Sequence, residues 1–227
     1  MASSPPITIQ RMWRESFQLG GIVLALSIVY SFFFYQDVSI LPLSQAIGLA
    51  AALMIGVSYA MSGFGYYFDF LDAKVGFRKY YGLVGLLLAI IHAYTLFFVD
   101  PERYFFKFFF NLGSVDFVLG IMAMAILLGM VIISTPEGIK TIGAKNWRLG
   151  LRTGYVASAL FVTRASLLYS NDWHYWLDHG DWYLPPPTLL ATLFTIGVIV
   201  FRASIFVSQE FKKPRTTQSP PASPPTE

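Results

Sequence analysis

Six apolar runs, each about as long as a bilayer-crossing helix, dominate this chain of 227 residues. A hydrocarbon core of about 30 Å takes roughly 20 mostly apolar residues per helix. The runs fall at 18–35, 45–68, 80–99, 114–134, 149–170 and 187–207, joined by short connections. With 55 % of its residues hydrophobic, 13 % charged and a mean hydropathy of +0.56, the chain has too little charge for a water-soluble fold. The expected fold is all-α integral membrane, a six-transmembrane-helix up-and-down bundle over 18–209. A segment 1–17 precedes it and a Pro/Ser-rich tail 210–227 follows. The N-terminal "MASSPPITIQRMWRES" has no short apolar core ending in a cleavage site, so the first run is expected to stay as a helix.

An even number of spans puts both termini on one side. That side takes Arg11, Arg14, Lys74, Arg78, Lys79, Lys140, Lys145, Arg148, Arg152, Arg202, Lys212, Lys213 and Arg215. The other side takes only Arg103 and Lys107, beside Asp100, Glu102, Asp172, Asp178 and Asp181. Basic residues concentrate in cytoplasmic loops, so both termini are expected to be cytoplasmic, in a bacterial inner membrane. The net charge of +3 is scattered over loops and tails, and no patch could track a phosphate backbone, which excludes nucleic acid as a partner. The absence of cysteine removes disulfides, thiolate metal sites and iron–sulfur clusters. The G-x-G of "SGFGYYFDF" lacks the strand–turn–helix setting of a dinucleotide site, so no flavin or nicotinamide site is expected.

On the second run Gly48, Ala52, Gly56 and Ala60 recur every four residues, a ladder that admits another helix closely. Two basic side chains lie within apolar stretches: His92 in "LLLAIIHAYTLFF" and Arg164 in "ALFVTRASLLY". At 1.5 Å per residue they sit roughly 18 and 22 Å from the cytoplasmic ends of their helices, at comparable depth in the outer half. No Asp or Glu falls mid-membrane to neutralise Arg164, so its counter-charge must come from outer loops, helix-end carbonyls or a bound anion. The plainer alternatives are an interhelical hydrogen bond for His92 and snorkelling for Arg164. His174 and His179 fall in the expected outer loop "NDWHYWLDHGDWYLPPP". Its Trp173, Tyr175, Trp176, Trp182 and Tyr183 read as an interfacial aromatic belt.

The order of these features resembles the ferric-reductase-like transmembrane domain, the six-helix haem-b unit of ferric reductases, NADPH oxidases and the methionine-sulfoxide-reductase membrane subunit. The resemblance rests on "YYGLVGLLLAIIHA" and "STPEGIKTIGAKNWRLGLRTGYVASALFVTRA", with Gly82, Leu83, His92, Ala93, Ser134, Gly143, Trp147, Arg152 and Tyr155 in place, and covers about 48–202. It implies two stacked b haems held by histidine pairs about thirteen residues apart on the third and fifth helices. Here His92 keeps one outer position. The others fall at Lys79 or Arg78, at Leu151 and at Arg164. Leucine offers no ligand atom and arginine no lone pair. The resemblance therefore implies no inner haem. Outside, it leaves a five-coordinate haem on His92 with Arg164 on a propionate or distal ligand, a rescue by His174 or His179, or Arg164 filling the vacated space.

Three functions follow as expectations. The first is a haem-depleted structural or accessory subunit of a larger membrane complex, not catalytic on its own. The second is a single-haem b-type redox subunit working with a soluble oxidoreductase, although one outer haem leaves the inner half of the bilayer without a stepping stone. The third is a lipid-, quinone- or pigment-binding subunit, in which His92 could hold the magnesium of a chlorophyll-type ring.

Overall fold

The computed structural model describes residues 8–67, 76–179 and 184–212. Lys74, Asp181, Trp182, Tyr183, Lys213, Arg215 and the rest of the tail lie outside the described residues. Among the described residues seven α-helices follow one another: α1 Ile9–Tyr35, α2 Ile40–Tyr67, α3 Arg78–Val99, α4 Phe108–Asn111, α5 Val115–Ile133, α6 Pro136–Asp178 and α7 Pro187–Lys212. A π-helical turn, Glu102–Phe106, precedes α4. The described residues contain no strand.

Five helices, α1, α2, α3, α5 and α7, are long and apolar enough to cross a membrane. Their surfaces invert the water-soluble pattern. On α1 the buried face is Ser16, Gly20, Ser27 and Ser31, while Ile22, Leu26, Val29 and Phe33 point outward. Large apolar side chains outside and small ones inside suit a lipid solvent, where helices associate by close packing.

The expected sixth span, 149–170, lies inside α6, whose polar Ser, Thr and Arg residues dilute its apolar character. This helix corrects the sequence reading at both ends. It spans 43 residues as two helical segments joined at a kink, the first of which starts thirteen residues before the expected span. The Thr135 hydroxyl caps it by accepting from the Gly138 amide at 3.0 Å, and Pro136 supplies a ready-made first-turn φ. Gly143 breaks it with φ 76° and ψ 156°, a conformation open in practice only to glycine. At the other end 171–178 is helix rather than loop, because no glycine or proline interrupts the chain before Gly180. The α1 helix likewise starts at Ile9, ahead of the apolar run at 18.

The α2 helix is the hub, packed against α1, α3 and α7, while α5 packs on α6 and α6 on α7. Its contact with α3 depends on glycines of α3. A Cβ on Gly85 would lie 2.9 Å from the Ile55 amide nitrogen, and one on Gly82 would lie 3.0 Å from the Ser58 hydroxyl. Ile47, Ala50, Ala51, Met54, Val84 and Leu88 fill that seam. The α3 and α5 helices barely touch, so the ring α3–α2–α7–α6–α5 has one loose joint.

Candidate functional site

Inside that ring lies a cavity of about 430 Å³, partly open and lined almost wholly by apolar atoms. The two basic side chains singled out in the sequence both reach it, His92 from α3 and Arg164 from α6. The Gly/Ala ladder of α2 proves to face this space: Gly48, Ala52 and Gly56 line it, and Gly56 also receives the ring of Phe194 from α7. From Gly48 to Tyr59 the α2 wall runs about 16 Å along the helix axis. Gly120, Ala123 and Ala125 of α5 and Ala157 of α6 keep the opposite walls low. Small residues on α2, α5 and α6 thus keep this space open.

His92 is held in one tautomer. Its Nδ1 lies 2.8 Å from the main-chain oxygen of Ser44, and a carbonyl can only accept, so Nδ1 carries the proton. The Ser44 hydroxyl sits 3.3 Å from the same nitrogen and accepts from Thr95 at 2.9 Å. The lone pair is therefore on Nε2, which makes no hydrogen bond among the described residues. Gly48 makes room for the ring: a Cβ there would meet His92 Cε1 at 3.0 Å.

Arg164 is bonded to neither His92 nor a carboxylate. Its Nε donates to the Asp116 carbonyl at 3.2 Å, in the first turn of α5, and an Nη donates to the Tyr104 hydroxyl at 3.4 Å. The Asp116 carboxylate is taken by Arg103 at 2.5 Å. Burial pushes the Tyr104 phenol above the ordinary tyrosine pKa, with Arg164 and Arg103 opposing, so it offers a neutral oxygen rather than a counter-charge. Gly120 passes directly under the guanidinium, where a Cβ would lie 2.8 Å from Nε.

The remaining candidates stay apart. His174 and His179 are exposed on the far end of α6 and at its C-cap. Their Nδ1 atoms bond to the carbonyls of Ser170 at 2.6 Å and Tyr175 at 2.9 Å, and His179 stacks on the Tyr175 ring. Neither lines the cavity. Lys79 is exposed and donates to the Ser134 carbonyl at 3.1 Å. The corresponding half of the bundle is packed: the Tyr59 and Tyr155 rings lie 5.2 Å apart, with Met130 and Val198 against them. Arg152 is exposed, and the buried Trp147 indole nitrogen has no hydrogen-bond partner among the described residues.

Among the described residues no three His, Cys, Asp or Glu side chains converge, so a bare metal ion finds no ligand cage. One imidazole with its lone pair on Nε2, beside an apolar space, is a donor that a metal-centred ring could use. Ser44, Thr95, Tyr104, Asp116 and Gly120 were not legible as site residues. The vacated haem space of the resemblance points to a cavity, whereas the small-residue ladder on α2 reads from the sequence as a helix-packing face. Compared with known proteins, the chain matches no family model and no curated protein.

Proposed function

We propose that this chain is an accessory membrane subunit that carries one amphipathic cofactor in the cavity, held by His92 at one wall and Arg164 at another. The proposed setting is six spans of ferric-reductase-like architecture in a bacterial inner membrane, with both termini cytoplasmic. The cofactor favoured is a b-type haem. Bound there, a haem would supply a one-electron couple. His92 would offer Nε2, the Ser44 carbonyl would orient the imidazole, and the apolar walls would exclude water. A soluble oxidoreductase or other membrane subunits would complete the working complex.

The observation that carries this reading is the tautomer-fixed His92 facing a 430 Å³ space that small residues keep open. It moves the balance from a haem-free structural subunit toward a carrier. The test is the absorption spectrum of gently purified protein, oxidised and dithionite-reduced, from the near ultraviolet to the far red. The expected result is a Soret band with a reduced α band, lost in His92→Ala while the chain stays in the membrane. A far-red band would replace haem by a chlorophyll-type pigment. A flat spectrum after haemin addition would sink the haem assignment.

A further inference from the structure

Arg164 brings a positive charge to a cavity otherwise lined by apolar atoms and the neutral His92. A guanidinium at membrane depth is costly unless it faces water or an anion. Its partners here are a main-chain carbonyl and a neutral phenol, both at long range, and the adjacent carboxylate of Asp116 is neutralised by Arg103. The wall opposite is apolar, and the loose joint between α3 and α5 gives the cavity a side facing the bilayer. Ile121 and Leu128 of α5 both line the cavity and stand exposed on that side.

From these observations we propose that the cavity takes an amphipathic carboxylate that enters sideways from the bilayer between α3 and α5. The carboxylate pairs with Arg164 and the hydrocarbon lies along the α2 wall. This rests on the reading of the cavity as a ligand site, and it makes a free fatty acid a ligand in its own right. A bidentate carboxylate supplies both the charge and the two acceptor oxygens that the guanidinium fork lacks. The 430 Å³ volume is within the range of about 300–1,000 Å³ usual for small-molecule sites, and its 16 Å wall suits a bent acyl chain.

The test uses the full chain in phosphatidylcholine nanodiscs with the fluorescent probe cis-parinaric acid and its methyl ester. The acid is expected to bind at least about ten-fold tighter than the ester, the scale of one charge-assisted hydrogen-bonded pair. Arg164→Gln should bring the acid down to the level of the ester and leave the ester unchanged. Arg164→Lys, which keeps the charge, should retain a preference for the acid. Equal binding of acid and ester by the native chain overturns the inference, as does a preference that survives in Arg164→Gln.

Ala52→Trp, which fills the cavity from α2, separates the two levels of the argument. If it weakens both probes but the native chain shows no acid preference, the cavity stands and the carboxylate inference falls. If it weakens neither, the cavity is not the ligand site. Haemin and haemin dimethyl ester serve as competitors that identify the source of the carboxylate. Displacement by haemin alone places a ring propionate on Arg164, and no displacement by either, with the acid preference intact, leaves the lipid acid.

Discussion

His92 of α3 donates its Nδ1 proton to the main-chain oxygen of Ser44 on α2, 2.8 Å away. A main-chain acceptor cannot be removed by changing a side chain, and it cannot rotate away as a hydroxyl can. The bond thus decides, independently of any occupant, which ring nitrogen is basic. Metal-binding histidines are commonly oriented in this way by a carbonyl behind them.

Gly48→Ala should disturb that arrangement without touching either partner. The new methyl group would lie 3.0 Å from Cε1 and 3.1 Å from Nδ1 of His92, so the ring must turn. Overpacking of this kind costs about 1–3 kcal/mol. The expected outcome is a lower melting temperature in detergent and, if the proposed haem is the ligand, less of it bound per chain. Unchanged haem content would show that the ring orientation is immaterial to binding.

Arg103 and Asp116 should behave as a pair from which Arg164 is energetically separate. Arg103→Gln and Asp116→Asn each break the half-buried ion pair and are expected to cost about 1 kcal/mol, with the double variant no worse than either single. Arg164→Gln should add to each of them within about 0.5 kcal/mol, because it uses the Asp116 carbonyl and not the carboxylate. Thermal unfolding of the native chain and the six variants in one detergent would decide the matter. Strong coupling between Arg164→Gln and Asp116→Asn would mean that the carboxylate does neutralise Arg164.

Gly85→Ala and Gly129→Ala form a matched comparison. On Gly85 a Cβ would press on the main chain of α2, 2.9 Å from the Ile55 amide nitrogen, which cannot move alone. A loss of about 1–3 kcal/mol is expected. At Gly129 a Cβ meets nothing within 4 Å, so alanine should be neutral or stabilising by up to about 1 kcal/mol. Equal effects at both sites would refute the close approach of α2 and α3.

Gly143→Ala tests the break in α6. Its φ of 76° with ψ of 156° is strained for any residue with a Cβ, at about 1–3 kcal/mol. The expected loss of thermal stability should not be accompanied by any change in ligand binding, since Gly143 does not line the cavity.

Much of the site's placement could be read before any coordinates. Counting residues along two apolar runs put His92 and Arg164 at one depth, and both do reach one cavity. What escaped was the set of groups they touch. The oxygens of Ser44 and Asp116 that accept from them belong to the main chain, which every residue has, so no side-chain type marks them. Tyr104 arrives from the connection after α3, whose path depends on a π-helical turn that no residue pattern marks. The glycine ladder was visible on α2, but spacing alone does not tell a face that admits a helix from one that borders a space. The true close approach used Gly82 and Gly85 of the facing helix. The helical continuation of α6 over 171–178 was missed because that stretch was read by its polar composition, whereas no glycine or proline stops the helix there.

The aromatic packing of Tyr59 and Tyr155 has an electrical consequence. With that half of the bundle filled, a charge reaching a group beside His92 would arrive from the Tyr104 end. His92 is seven residues from the end of α3 at Val99, about 10 Å, or a third of a 30 Å core. A full crossing is worth about 2.3 kcal/mol per charge at 100 mV, so loading this site would feel only about 0.8 kcal/mol of the membrane voltage. The affinity of a charged group for that place would change by only about four-fold between an energised and a depolarised membrane.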